Sequence, residues 1–160
     1  MRLLFLLLTL FLPASAIAAA PDLTLRDFNG AERHVSEFIG NGKWTVVAIW
    51  EHDCPICNAE IQTMEFFHLD HKDKDAIVLG VSIDGWKKRD LARDFVERHD
   101  LSFPNLLIEM KIEELMKFGG GMFYGTPTFF IYNPAGKIVA RQIGPLPIDA
   151  LENFIAGGGS

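Results

Sequence analysis

Two long apolar segments with a helical pattern between them limit most strongly what this chain can fold into. Residues 45–50 (TVVAIW) and 76–83 (AIVLGVSI) are almost free of polar side chains, which is typical of strands buried on both faces of a sheet. Residues 55–69 between them carry an apolar stripe at helical spacing. The stripe consists of Ile56, Ile61, Met64 and Phe67. A strand, a helix and a second strand in this order predict a right-handed parallel crossover at the centre of an α/β domain.

Patterned segments on both sides extend this central unit. They are an N-terminal hairpin (23–27 and 32–35), two helices (87–99 and 112–118), two strands joined by a turn (128–132 and 137–143), and a last helix (148–155). The turn sequences Asn29-Gly30 and Asn133-Pro134-Ala135-Gly136 favour hairpin connections. The predicted fold class is therefore α/β, with a central mixed β-sheet flanked by helices and an N-terminal β-hairpin extension.

The first twenty residues have the pattern of a secretory signal. Arg2 precedes an apolar run over residues 3–12, Pro13 ends the run, and small residues follow it. The run is too short to cross a bilayer as a helix, and Ala-x-Ala sites favour cleavage after Ala18. An uncleaved membrane anchor is the alternative. The predicted organisation is a signal peptide (1–18), one domain (19–156) and a flexible glycine-rich tail (157–160), with the protein in the periplasm.

Both cysteines of the chain lie in one C-x-x-C motif, Cys54-Pro55-Ile56-Cys57. Small exported domains often use several disulfides for stability, but this chain has no further cysteine for that purpose. A pair three residues apart closes too short a loop to stabilise a fold appreciably. The pattern therefore indicates a chemical role for the pair rather than a structural one.

The position of the motif between a strand and a helix indicates what that chemistry is. Cys54 is predicted at the helix N-terminus, where free backbone N–H groups and the helix dipole stabilise a thiolate. Pro55 suits the first helical turn. Cys57 lies on the same helix face and is placed to attack a mixed disulfide formed at Cys54. Further along, Thr126-Pro127 comes just before a predicted strand, and we expect the bond between these two residues to be cis.

With these motifs, residues 23–155 resemble the TlpA and ResA group of exported thioredoxin-like reductases, which includes the CcmG proteins of cytochrome c maturation. The resemblance rests on the strand ending in Trp50, the CPIC motif, Glu60 in C-x-x-C-x-x-E, the Thr-Pro-Thr sequence 126–128 and the Gly-Pro-Leu sequence 144–146. It implies a thioredoxin-like fold and thiol–disulfide oxidoreductase activity without a cofactor or metal. The implied substrates are disulfides of exported proteins, including apocytochrome c, and the implied electron donor is a membrane thiol carrier of the DsbD or CcdA kind.

The resemblance also assigns roles to single residues. Pro127 is expected to face the cysteines, and Thr126 to offer backbone groups to a bound peptide. Glu60 is expected to exchange a proton with Cys57, the alternative being a solvated helix residue. Trp50 and Pro55 complete the expected substrate contacts. We expect the protein to act as a monomer.

The chain departs from the group's pattern at three places near the motif. Ala48 stands where a buried Asp is common, and Asp53 stands where an aromatic residue usually precedes the first cysteine. The segment 119–124 (GGGMFY) is an apparent insertion before the cis-proline position. Its Met122 and Phe123 are candidate substrate contacts, with core packing as the alternative.

Two other classes of function, a metallochaperone and a non-catalytic binding module, are alternatives to an oxidoreductase. His52, Cys54 and Cys57 form H-x-C-x-x-C, which could hold Cu(I) or Zn(II) in a metallochaperone. A thioredoxin-fold binding module without catalysis is a further alternative. Nucleic acid is an unsuitable partner, because the net charge is −6 and the basic residues are scattered.

Overall fold

The computed structural model describes residues 20–119 and 121–159. The predicted signal peptide therefore lies outside the described residues, as do Gly120 and Ser160. Among the described residues, no helix is long and apolar enough to cross a membrane. In the segment expected to be a flexible tail, the N–H of Gly159 donates to the carbonyl of Phe154 at 2.9 Å, against the end of the last helix.

Seven strands in the described part of the chain form one mixed sheet in the order β2-β1-β5-β4-β3-β6-β7. The strands are β1 (Thr24–Arg26), β2 (Glu32–His34), β3 (Trp44–Trp50), β4 (Ala76–Ser82), β5 (Asn105–Leu107), β6 (Thr128–Tyr132) and β7 (Ile138–Ile143). The helices are α1 (Pro55–His71), α2 (Arg89–Arg98), α3 (Ile112–Met116) and α4 (Ile148–Ala156), with 3₁₀ turns at Val35–Glu37 and Trp86–Lys88. This is the predicted α/β architecture with its N-terminal hairpin.

The central strand β3 has every residue buried and separates two apolar cores. Successive side chains of a strand point to opposite faces, and β3 follows this rule. Val46 and Trp50 pack in the core beneath α1, α2 and α4, whereas Val47 and Ile49 pack in the core that contains Leu115 of α3. Polar substitution on either face of β3 would therefore disrupt one of the two cores.

The register of the sheet brings three loops to one edge. In the parallel β3–β4 pair, Trp50 lies opposite Ser82, so the residues after both strands leave the sheet side by side. The antiparallel β6 pairs Thr128 with Ile49, which brings the start of β6 to the same edge. Residues 51–54, 83–85 and 125–127 consequently meet there.

Two predicted apolar stripes are partly wrong. Ile56 was expected to be buried, but 46% of it is exposed, because in the first turn of α1 it is Cys57 that faces the core. The helical spacing of Leu91, Phe95 and Val96 predicts a buried face on α2, but Leu91 is exposed while Ala92 and Phe95 are buried. Ala92 is fully buried in the core, and its modest hydrophobicity hid it in the sequence pattern.

Candidate active site

Cys54 and Cys57 form a disulfide at the start of α1, with their Cα atoms 5.2 Å apart. Cys54 is the N-cap residue, Pro55 occupies the first turn, and the N–H of Cys57 donates to Cys54 Sγ at 3.1 Å. Cys54 is 8% exposed, whereas Cys57 is only 1% exposed. The arrangement gives Cys54 both the better access and the donors that stabilise a thiolate.

The Thr126–Pro127 peptide bond opposite the disulfide is cis. The carbonyl oxygen of Thr126 lies 3.6 Å from Cys54 Sγ. Two bonds hold this loop against the sheet: Thr128 Oγ1 donates to the carbonyl of Gly125 at 2.6 Å, and the N–H of Gly144 donates to the carbonyl of Pro127 at 2.9 Å. The loop is thus fixed beside the accessible sulfur.

Trp50 does not occupy the place expected of a substrate contact. Its ring is fully buried, stacks on Phe95 with the centroids 4.3 Å apart, and donates through Nε1 to Asn105 Oδ1 at 3.1 Å. A Cβ at Gly80 would lie 1.8 Å from that Oδ1, so glycine is needed there for the amide to reach the indole. Trp50 therefore supports the end of β3 from inside the core.

The loop that leads into Cys54 is held by residues that the sequence analysis missed. Asp84, just after β4, bonds both the ring and the backbone of His52: Nδ1 lies 2.5 Å from Oδ1, and the N–H donates to Oδ2 at 3.0 Å. Asn58 Nδ2 donates to the carbonyls of His52 and Cys54 at 3.2 and 2.9 Å. A polar residue at the carboxyl end of a parallel strand is a recognised signal for a site, and Asp84 has that position.

The side chain of Asn58 also connects this loop to α2. Because its Nδ2 donates to two carbonyls, its Oδ1 must accept, and His99 Nε2 lies 3.1 Å from that oxygen. Burial lowers the pKa of His99, and the neighbouring Arg98 lowers it further. A neutral His99 with its proton on Nε2 fits this bond.

Glu60 lies on α1, one turn beyond Cys57, and is half-buried. Within the described residues its carboxylate takes part in no hydrogen bond or ion pair. The position is compatible with proton exchange with Cys57, and that role stays a prediction.

The segment before the cis-proline divides into an anchor and two outward-facing residues. Phe123 packs in the core that contains Phe118 and Phe130, which favours core packing over a substrate contact for this residue. Met122 and Tyr124 are 57% and 72% exposed. Arg141 of β7 contacts both residues: its Nη1 donates to the backbone carbonyl of Met122 at 3.1 Å, and its guanidinium lies 5.8 Å from the centre of the Tyr124 ring.

The alternative metal site was expected from His52, Cys54 and Cys57. In the structure His52 Nδ1 faces Asp84, and both sulfurs are in the disulfide. Across residues 20–119 and 121–159, no group of three or more His, Cys, Asp or Glu side chains is arranged to hold a metal ion.

Similar sequences are those of proteins named thiol–disulfide oxidoreductases. The chain is 26% identical over 140 residues to the thiol-disulfide oxidoreductase ResA of Oceanobacillus iheyensis, covering 86% of this chain and 69% of that protein. It is 24% identical to the sporulation thiol-disulfide oxidoreductase A of Bacillus subtilis, covering 71% of this chain and 67% of that protein.

Solved structures share the fold. A thiol:disulfide interchange protein of Chlorobium tepidum superposes with a TM-score of 0.72 at 17% identity, covering 89% of this chain and 96% of that one. StoA from Bacillus subtilis superposes with a TM-score of 0.63 at 24% identity, covering 86% and 98%. The sequence pattern of the AhpC/TSA family matches residues 17–141. The chain therefore belongs to the AhpC/TSA family, as a thiol–disulfide oxidoreductase with a thioredoxin-like fold.

Proposed function

We propose that the protein reduces disulfides in exported partner proteins, with Cys54 as the attacking thiol and Cys57 as the resolving thiol. The observation that carries this proposal is the difference between the two sulfurs. Cys54 is the more exposed of the two, caps a helix and lies beside the cis-Pro127 loop, whereas Cys57 is enclosed in the first turn of α1. Cys54 is therefore the sulfur that a partner disulfide reaches first.

The exchange takes place in two steps. The Cys54 thiolate attacks one sulfur of the partner disulfide, so that a mixed disulfide forms and the other partner sulfur leaves as a thiolate, which takes up a proton. Cys57 loses its proton and attacks Cys54 Sγ, which closes the Cys54–Cys57 disulfide and releases the second partner thiol. Two electrons pass to the partner, and Glu60 is the proposed acceptor of the Cys57 proton.

The surface around Cys54 suits a polypeptide substrate. The backbone of Thr126 is positioned to pair with an extended segment that carries the target disulfide. Pro55 and Ile56 lie on one side of the sulfur and are exposed, and Met122 is a flexible apolar contact from the segment that precedes the loop. Apocytochrome c, with its paired cysteines, is one such exported substrate.

This function requires an oxidising compartment and a source of electrons. The secretory pattern of residues 1–18 supports export to the periplasm, where the protein would act as a monomer. After each cycle the Cys54–Cys57 disulfide must be reduced again, and a membrane thiol carrier of the DsbD or CcdA kind is the proposed donor. The same thiol–disulfide exchange in the reverse direction, with a donor thiolate attacking the Cys54–Cys57 disulfide, completes this step.

The reduction potential of the Cys54–Cys57 couple tests the proposed direction. We expect a value close to the reducing end of the thioredoxin-fold range, about −270 mV, rather than the oxidising end, about −120 mV. The measurement is equilibration with a dithiol buffer, followed by thiol labelling and mass analysis, with reduction of insulin as the activity. A Cys54→Ser/Cys57→Ser double variant is the inactive control. A potential near that of an oxidase would overturn the reductase assignment.

A further inference from the structure

The carboxylate of Asp84 lies in the interior directly beneath residues 51–54, the loop that leads into Cys54. Its side chain has no exposed surface. Oδ1 pairs with His52 Nδ1 at 2.5 Å, and Oδ2 accepts from the N–H of His52 at 3.0 Å and from Ser82 Oγ at 2.7 Å. A buried carboxylate is stable only while such donors remain in place. Two of the three donors belong to His52, so the loop and the carboxylate depend on each other.

The opposite side of the same loop is held by Asn58. Its amide donates to the carbonyls of His52 and Cys54 at 3.2 and 2.9 Å. The N–H, the ring and the carbonyl of His52 are therefore all bonded to fixed elements. Cys54 follows two residues later, so these bonds restrict the movement of the backbone that carries its sulfur.

Other charged and titratable groups near His52 have weaker ties to the loop. Glu51 lies 3.7 Å from Lys88 at the surface. Asp53 is exposed. His99 reaches the loop only through Asn58. Asp84 is thus the charged group that bonds the loop directly from inside the protein.

We propose that Asp84 is a positioning residue for disulfide exchange at Cys54, acting through His52. The pair keeps Cys54 Sγ where the N–H of Cys57 reaches it at 3.1 Å, and this donor stabilises the attacking thiolate. Without the pair the loop relaxes, the thiolate loses part of this stabilisation, and Cys54 reacts more slowly at neutral pH. The inference rests on exchange at Cys54, as the proposed function does, but it does not depend on the direction of electron flow or on the partner.

The test is the rate at which iodoacetamide alkylates Cys54 in the reduced protein, measured by mass spectrometry across pH. Asp84→Asn keeps the shape but removes the charge, and His52→Ala removes the ring. For both, we expect alkylation at pH 7 to be about tenfold slower and the pH profile to move upward, the size of weakening one charge-assisted hydrogen bond. His52→Asn retains a side-chain donor close to the position of Nδ1 and is expected to stay within about threefold of the wild type.

Glu65 provides a matched control on the same helix. Its buried carboxylate accepts from the N–H and Oγ of Ser102 at 2.8 and 2.5 Å, eleven residues and about 16 Å along α1 from Cys54. Glu65→Gln should lower the melting temperature and leave the alkylation profile of Cys54 unchanged.

Three outcomes would overturn the proposal: wild-type alkylation in Asp84→Asn and His52→Ala, equal slowing in His52→Asn and His52→Ala, or equal slowing in Glu65→Gln. If Asp84→Asn does not fold, the comparison of His52→Ala with His52→Asn decides alone. Because alkylation reports on Cys54 itself, a failure here is distinct from a failure of the reductase assignment, which the reduction potential measures.

Discussion

Acidification is expected to destabilise the protein through His68, a buried residue of α1. Its Nδ1 accepts a hydrogen bond from the N–H of Val78 at 3.1 Å, and its ring packs edge-on against Phe103. Burial lowers the pKa of His68, and although the carboxylate of Glu65 opposes this shift, burial prevails. The native state therefore holds a neutral imidazole with its proton on Nε2, because a proton on Nδ1 would remove the acceptor for Val78.

The sign and size of the effect follow from this lowered pKa. The unfolded chain binds the proton near the ordinary value of 6.5, whereas the native state resists it. The stability contribution of neutral His68 is therefore fully present above pH 6.5 and is lost as the pH falls below it. Between pH 7.5 and 5.5 the loss is at most about 1.4 kcal/mol, which corresponds to a melting temperature lower by roughly 3–6 °C.

The variant His68→Asn isolates this contribution. Its amide oxygen can accept from Val78 near the position of Nδ1, but it does not titrate. The lost ring contact with Phe103 should cost about 1–2 kcal/mol at both pH values, so the quantity to compare is the change between pH 7.5 and 5.5 in urea-induced unfolding. We expect this change to be smaller in the variant than in the wild type. Burial also lowers the pKa of His99, but His99 is present in both proteins and contributes equally to the change in each. An equal change in the wild type and the variant would therefore show that His68 contributes nothing.

Three further predictions concern the site. Glu60→Gln is expected to alter the titration of Cys57 while the alkylation rate of Cys54 changes less. Unchanged titration of both thiols would make Glu60 an ordinary helix residue. Replacing the exposed Met122 and Tyr124 by Ser is expected to slow the reaction with a protein disulfide several-fold but to leave the reaction with oxidised glutathione unchanged. Equal losses with both substrates would contradict a recognition role. Phe123→Ser, in contrast, should lower the melting temperature, because it opens the core at a cost of about 3 kcal/mol. Treatment with a metal chelator is expected to leave insulin reduction unchanged, and activity that returns only with added copper would favour the metallochaperone.

The central part of the fold could be predicted because its residues are uniformly apolar. Residues 45–50 and 76–83 match β3 (Trp44–Trp50) and β4 (Ala76–Ser82) to within a residue. Burial of both sheet faces leaves little choice of side chain, so the pattern is strong there. By contrast β5 spans only Asn105–Leu107, directly after Pro104, and a three-residue strand is too short for its periodicity to be read.

The cysteines and the cis-Pro127 loop were found from local sequence, whereas the groups that hold them were not. Asp84 and its partner His52 are 32 residues apart, and no local pattern connects them. Glu65 is a similar case, since its carboxylate is buried only because Ser102 meets it from the loop after α2. Buried polar pairs of this kind depend on how the elements are packed, which the sequence of one element does not contain.

Trapping of mixed disulfides tests the assignment of Cys54 as the attacking thiol most directly. The Cys57→Ser and Cys54→Ser variants, each reduced and mixed with a disulfide-bonded protein such as insulin, are separated on non-reducing gels, and the linked cysteine is identified by mass spectrometry. We expect Cys57→Ser to accumulate an adduct through Cys54, because the resolving thiol is missing. We expect no adduct with Cys54→Ser, whose remaining sulfur is enclosed. Adducts that form through Cys57 at a comparable rate would show that Cys54 is not the attacking thiol.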